Sequence, residues 1–244
     1  RKIIANVTYV SASTFKTKLR ITTEIAFRKV TGDYAVLWDY KPHSSKRWVF
    51  HQIKSALPRK PSLVSYYTQS VDKVIGVAEQ IYSKKIKSIV VFDDAAYSGE
   101  QLINRILVPL SKFFTQKAQN IKLFVIVPYA TTLAQQRIKA VPHSPFVEIN
   151  FIFEETMKTL LEILSPSEQS ILQSSEREEF VYLGATLTFF DHRVADDHSF
   201  FSDVAKLITE SPKPYSADTT YGAKEKAEWE LYWNRYLEIL HKED

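Results

Sequence analysis

The sequence predicts an α/β domain with a mostly parallel sheet flanked by helices. Three observations carry that expectation. Apolar, β-branched runs recur along the chain, helix-period segments fill the intervals between them, and those intervals are short. Parallel neighbours joined at such spacing need right-handed crossovers, which lay helices over both faces of the sheet. In sheets of this kind ligands gather beyond the carboxyl ends of the strands.

Taken in order, residues 14–30 (TFKTKLRITTEIAFRKV) read as a helix and Tyr34–Asp39 (YAVLWD) as the first buried strand. A helix is expected over 49–57 and another over 72–83, where Val74, Val77, Ala78 and Ile81 form one apolar stripe. The second strand is Ser88–Phe92 (SIVVF), followed by a helix over 101–114 in which Pro109 marks a kink or a stop. Strands at 123–128 (LFVIVP) and 147–153 (VEINFIF) are each followed by a helix, at 132–141 and 155–164. The polar stretch 165–179 reads as a connector, 185–190 (ATLTFF) as a late strand and 211–222 as a turn-rich segment. Residues 223–244 form a C-terminal aromatic helix, with Trp229, Trp233, Tyr236, Leu237 and Leu240 on one stripe. That stripe docks on the protein's own sheet or offers a face to a partner. The expected partition is one domain over 1–222, with its core at about 30–165, plus this helix.

Composition narrows the function classes. The 244 residues are 45% hydrophobic and 25% charged, ordinary for a globular chain and unlike disorder. A net charge of +4 is too mild to argue for nucleic acid, and the basic residues are spread rather than striped. With no cysteine, thiolate nucleophiles, disulfides and Cys-ligated zinc are excluded, and a reducing, cytoplasmic setting is the simplest expectation. No apolar run approaches membrane-spanning length and no signal peptide is visible. Only five glycines occur, and no Walker, dinucleotide-binding or nucleophile-elbow pattern is present.

The window Ile89 to Leu102 (IVVFDDAAYSGEQL) carries the chemistry. An apolar strand ends in Asp93 and Asp94; a turn of small residues follows, and a helix opens near Glu100. Backbone N–H groups at that turn, with the helix dipole behind them, suit a phosphate. Ser98 adds a hydroxyl and Gly99 lets the backbone approach. Two carboxylates cannot share the phosphate's place without repulsion, but they accept well from vicinal hydroxyls. The residues therefore describe a sugar phosphate, with phosphate at Ala96, Tyr97, Ser98, Gly99, Glu100 and Gln101 and ribose hydroxyls on Asp93 and Asp94. The competing reading is a plain strand-turn-helix whose acids cap the helix.

This window resembles the signature of the type I phosphoribosyltransferases, enzymes that bind 5-phosphoribosyl-1-diphosphate (PRPP). The match runs through Asp93, Asp94, Ser98 and Gly99. Ser65-Tyr66 is similar to the Ser-Tyr of the loop that closes over the site in hypoxanthine-type members. The late segment 190–200 (FDHRVADDHSF), followed by Pro214-Tyr215, is similar to their base pocket. The resemblance implies a phosphoribosyltransferase-like fold with a small hood at about 180–222, on the acceptor side, where Asp191, Arg193 and Asp196 would face substrate. It implies displacement at C1 of the ribose, with Asp93 and Asp94 as the catalytic acids. Mg²⁺ would be bound with the PRPP diphosphate rather than by a dedicated protein site. A lid over 58–69 would exclude water.

Departures from the pattern are informative. Purine-salvage members carry an acid before the Thr/Ser, whereas this chain has Tyr97, whose phenol is a poor base at neutral pH. Gln101 stands at the last motif position, where Thr or Ser is usual. The loop after the first strand, residues 39–47 (DYKPHSSKR), lacks the usual glycine but is basic, so Lys41, Lys46 and Arg47 are candidates for the pyrophosphate or form a solvated loop. The Asp-Asp-Ala-Ala-Tyr-Ser-Gly turn is similar to those of phosphoribosyltransferase-related effectors of bacterial conflict and antiphage systems, including some retrons. That resemblance implies a nucleotide-metabolising effector held by protein or nucleic-acid partners. The alternative is a non-catalytic nucleotide-sensing or scaffolding module that kept the phosphate loop. His192 and His198 lack a metal-ligand spacing, so no metal site is assigned.

Overall fold

The computed structural model describes residues 5–39, 45–67, 71–142, 144–173 and 186–190. Its centre is a five-stranded, wholly parallel sheet built from β2 (Tyr34–Asp39), β3 (Leu63–Tyr67), β4 (Ser88–Phe92), β6 (Ile121–Ile126) and β8 (Val147–Ile152). The spatial order is β3-β2-β4-β6-β8. The α/β class and the parallel sheet are thus as the alternation of runs predicts.

The order has a consequence for the helices. From β2 the chain steps one way to β3; from β3 onward it steps the other way, through β4, β6 and β8. With right-handed crossovers the first connecting helix must lie on one face and the later ones on the other. The first is α2 (Ser45–Ile53), and α1 (Ala12–Phe27) shares its face through Phe15, whose ring lies 5.2 Å from that of Trp48. The opposite face is covered by α3 (Val71–Ser83), α4 (100–116) and α5 (Thr132–Lys139), whose apolar stripes join β4 and β6 in one core. Val74, Val77, Ala78 and Ile81 are the buried stripe of α3, as predicted. Covered on both faces, all five residues of β4 are buried, which is why SIVVF is a continuous apolar run rather than an alternating one.

The ends of α1 and α4 are locally explained. Ser11 caps α1 by accepting from the Thr14 amide at 3.1 Å. Helix α4 comprises Glu100–Leu102, a wider π turn at Ile103–Leu107, and Val108–Gln116. Pro109 neither stops nor ends this helix. The Val108 amide donates five residues back, to the Ile103 carbonyl, and this widened turn gives the proline ring room where an α-turn would clash.

After β4, β6 and β8 each strand breaks for two residues and then resumes. The continuations β5 (Ala95–Ala96), β7 (Tyr129–Thr131) and β9 (Glu155–Met157) pair in parallel as a second, three-stranded sheet. Hydrogen bonds cross the break, from the Asp93 amide to the Ile126 carbonyl at 3.1 Å and from the Val127 amide to the Ile152 carbonyl at 3.0 Å. The helix expected over 155–164 is therefore a strand followed by α6 (Leu160–Ile163). In-register pairing of Glu155 with Tyr129 and Met157 with Thr131 overrides the helical propensity of that stretch. The connector begins as α7 (Pro166–Gln173), and β10 (Thr188–Phe190) pairs with β1 (Thr8–Val10).

Residues 58–62 lie at the amino end of the sheet. Arg59 donates to the carbonyls of Gly32 at 3.0 Å and Val30 at 2.8 Å, and the Tyr34 hydroxyl donates to the Arg59 carbonyl. Ser65 and Tyr66 follow in β3, paired with Leu37 and Trp38. The lid expected over 58–69 is thus a pinned turn and an edge strand over 58–67. The segments 191–200, 211–222 and 223–244, including Asp191, Arg193, Asp196 and the aromatic stripe, lie outside the described residues, as do Lys41 and residues 68–70. Among the described residues no helix is long and apolar enough to cross a membrane.

Candidate functional site

The strand order reverses between β2 and β4, and such a switch point is where an open parallel sheet leaves a crevice beyond its carboxyl ends. Both loops singled out by the sequence start there. Strand β2 ends at Asp39, and Lys46 and Arg47 sit in the first turn of α2 just beyond it. Strand β4 ends at Phe92, and Asp93 and Asp94 occupy the break that follows.

The break places both acids inside the protein. Asp93 is 7% exposed, Asp94 4% and Ser98 8%. Asp93 Oδ1 accepts the Asp94 amide at 3.0 Å, which uses one of its lone pairs and orients the carboxylate. Ala95 and Ala96 are not open-loop residues: they form β5, in register with Tyr129 and Ala130. The open turn is thus shorter than the sequence window, spanning Tyr97 to Glu100. Gly99 has φ +70°, a left-handed conformation that L side chains rarely adopt, and it opens α4 without any side-chain cap. A Cβ there would stand 3.3 Å from Ile138 Cγ1 and 3.5 Å from Ala134 Cα.

The amides of this turn are the decisive feature. Glu100 N–H donates to Ser98 Oγ at 3.3 Å. Among the described residues no acceptor meets the amides of Ser98, Gly99, Gln101 or Leu102. Ser98 and Gly99 are nonetheless buried, where orphaned N–H groups are rare and costly. Ser98 Oγ keeps its own proton to give, because toward Glu100 it serves as acceptor. Together these donors can hold a compact anion. Tyr97 is half-buried, and Glu100 and Gln101 are exposed at the rim.

The PRTase-CE family model matches residues 1–224. The chain belongs to the PRTase-CE family. This is a divergent phosphoribosyltransferase-type family, in agreement with the resemblance carried by Asp93, Asp94, Ser98 and Gly99. No curated protein matches the chain. Among solved structures, a hypothetical protein from Neisseria gonorrhoeae with bound ppGpp is similar at a TM-score of 0.36 and 11% identity, over 62% of this chain and 84% of that one.

One residue that shapes this turn has no signal in the motif. Thr131, at the end of β7, donates its hydroxyl proton to the Tyr97 carbonyl and accepts the Ala134 amide at 3.1 Å. A threonine before a helix-period segment is a legible N-cap; its reach across to Tyr97 depends on the pairing of β5 with β7, which no local pattern announces. Among the described residues no cluster of His, Asp and Glu gathers as a metal site.

Proposed function

We propose that this PRTase-CE chain is a phosphoribosyltransferase-like enzyme that binds PRPP or a ribose-5-phosphate nucleotide and transfers or releases the phosphoribosyl group. The observation that carries the reading is the pair of buried amides at Ser98 and Gly99, unpartnered among the described residues, beside two buried acids at the switch point. The amides and Ser98 Oγ–H would take the 5-phosphate. Asp93 and Asp94 would accept from the 2- and 3-hydroxyls and stabilise positive charge growing on the ribose as the bond from C1 to the diphosphate oxygen breaks. The leaving electron pair departs with pyrophosphate, and an acceptor nucleophile forms the new bond to C1.

Lys41, Lys46 and Arg47 are the proposed diphosphate partners; Lys46 and Arg47 belong to the first turn of α2, which follows β2 in the chain. Mg²⁺, arriving with the donor, would neutralise the diphosphate; Asp93 and Asp94 are the carboxylates near enough in the chain to face its hydroxyl side. The acceptor side is assigned to Asp191, Arg193 and Asp196. The resemblance of the Asp93 to Gly99 turn to conflict-system and retron effectors supports a cytoplasmic role as a nucleotide-metabolising defence effector acting with partner components.

Tyr97 supports a second reading, a nucleotide sensor without transfer chemistry, because a half-buried phenol replaces the acid that serves as base in purine salvage. One experiment separates the two. The protein is incubated with PRPP, Mg²⁺ and a panel of bases, binding is measured by calorimetry and pyrophosphate release is followed. The enzyme reading expects release that Asp94→Asn abolishes, with affinity down about 10- to 100-fold, the worth of a charged hydrogen bond. Binding without release, insensitive to Asp94→Asn, favours the sensor; absence of any PRPP or ribose 5-phosphate binding overturns both.

A further inference from the structure

We infer that Thr131 is a positioning residue that aims the Ser98 amide into the anion site. The inference rests on the reading of residues 97–100 as a phosphate cradle, and deepens it by naming what sets the cradle's geometry.

Thr131 is fully buried. Its hydroxyl has one proton, donated to the Tyr97 carbonyl, and it accepts the Ala134 amide at 3.1 Å. A hydroxyl so engaged within the protein is poorly placed to touch ligand. Its leverage comes from the planarity of the peptide. The Tyr97 carbonyl and the Ser98 N–H are the two ends of one trans peptide unit, so they point in opposite directions. Pulling the carbonyl toward the start of α5 turns the Ser98 N–H away from α5. Two residues after Tyr97 the same helix meets the turn again: Ala134 and Ile138 lie against Gly99, where a Cβ would stand 3.3 Å from Ile138 Cγ1 and 3.5 Å from Ala134 Cα. The anion turn is therefore shaped by the neighbouring β7–α5 unit rather than by its own sequence. That unit is braced in turn, because the Thr132 hydroxyl donates to Glu162 Oε1 at 2.6 Å on α6.

The test compares Thr131→Val, which keeps the shape and removes the hydroxyl, with Thr131→Ser, which restores it, and with Thr132→Val as a control that breaks only the brace to Glu162. Two readouts are taken on each full-length protein: hydrogen exchange of the Ser98 amide without ligand, and affinity for ribose 5-phosphate. Thr131→Val is expected to quicken Ser98 exchange about tenfold and weaken ribose 5-phosphate binding about 3- to 10-fold, the range of one hydrogen bond. Thr131→Ser should recover both, and Thr132→Val should lower the melting temperature without moving Ser98. If Thr131→Val and Thr132→Val change Ser98 alike, or neither does, Thr131 is only a helix cap and the inference is overturned. Should Thr131→Val fail to fold, the serine variant decides, since loss of Ser98 protection there equally overturns it. Failure of the wild type to bind ribose 5-phosphate would sink the cradle reading alone, because the exchange comparison still reports on Thr131.

Discussion

The turn after β4 and the turn after β6 follow one path: a buried parallel strand, a two-residue break, a short strand of the second sheet, then a helix on the same face. Their residues differ at each functional point. The first break holds Asp93-Asp94, the second Val127-Pro128. At the helix start, Thr131 caps α5 with its own hydroxyl, whereas Gly99 has none to offer α4. The second turn caps its own helix through Thr131; among the described residues the first leaves the Ser98 and Gly99 amides unmet and its acids buried. A shared backbone with opposite polar accounting separates scaffold from site better than the motif does.

Gly99→Ala has the largest expected effect within this comparison, and Gly32→Ala is its control. Both glycines have positive φ, +70° and +64°, so both substitutions meet the same left-handed penalty of about 1–2 kcal/mol. Only at Gly99 does the new methyl also press on α5, 3.3 Å from Ile138 Cγ1, while at Gly32 nothing lies within 4 Å. Urea unfolding should show Gly99→Ala losing about 1 kcal/mol more than Gly32→Ala, and ribose 5-phosphate affinity should fall only for Gly99→Ala. Equal losses would mean that α5 does not constrain the turn.

Much of this contrast was legible in the sequence. SIVVF, the paired acids and Ser98-Gly99 placed the strand, the break and the helix start, because a fully buried parallel strand writes itself as an unbroken apolar run. The stripe of α3 was equally plain. What stayed hidden depends on pairing between distant segments. Ala95-Ala96 and Glu155 to Met157 became strands only through partners in β7, and short strands of two or three residues carry no period to read. Ser65-Tyr66 reads as a lid motif in the sequence, while the pairing of β3 with β2 and the Arg59 clamp at the sheet's amino end leave no local trace. That Pro109 does not stop α4 has a different reason: a π turn accommodates what an α-helix would not.

Tyr129→Phe sharpens the comparison from inside the second turn. Tyr129 is 1% exposed, its ring packs 5.1 Å from Phe190 and 6.2 Å from Phe15, and among the described residues its hydroxyl has no partner. Removing that hydroxyl should leave stability unchanged or raise it by up to about 1 kcal/mol in urea unfolding, whereas Thr131→Val, two residues on, should lower it. Burial first, and the neighbouring Glu155 charge second, push the Tyr129 phenol above its ordinary value of 10.0. The fold thus favours the neutral phenol, and the stability it contributes is present below about pH 10 and lost as pH rises beyond it. Tyr129→Phe should accordingly lose less stability than wild type above pH 10. A destabilised Tyr129→Phe protein would mean the hydroxyl has a partner that the scaffold turn needs.

The smallest effect belongs to Glu162, which ties the second turn to α6. Its carboxylate accepts from the Thr132 hydroxyl at 2.6 Å, the Thr159 amide at 2.7 Å and the Thr159 hydroxyl at 2.9 Å. Partial burial alone would raise its pKa, but these donors outweigh it and hold the group below 4.5. A lowered folded value means stability that is complete above about pH 4.5 and lost as pH falls through the folded value. Glu162 is largely exposed, so water screens most of this gain. Melting temperatures of wild type and Glu162→Gln should therefore nearly coincide at pH 7 and converge further toward pH 3, with the wild type showing the steeper acid decline. Since Glu162 reaches the anion turn only through α5 and Thr131, ribose 5-phosphate affinity at pH 7 should be unmoved by Glu162→Gln. A drop there as large as that of Thr131→Val would place the control of the Ser98 amide in the whole brace instead of in one hydroxyl.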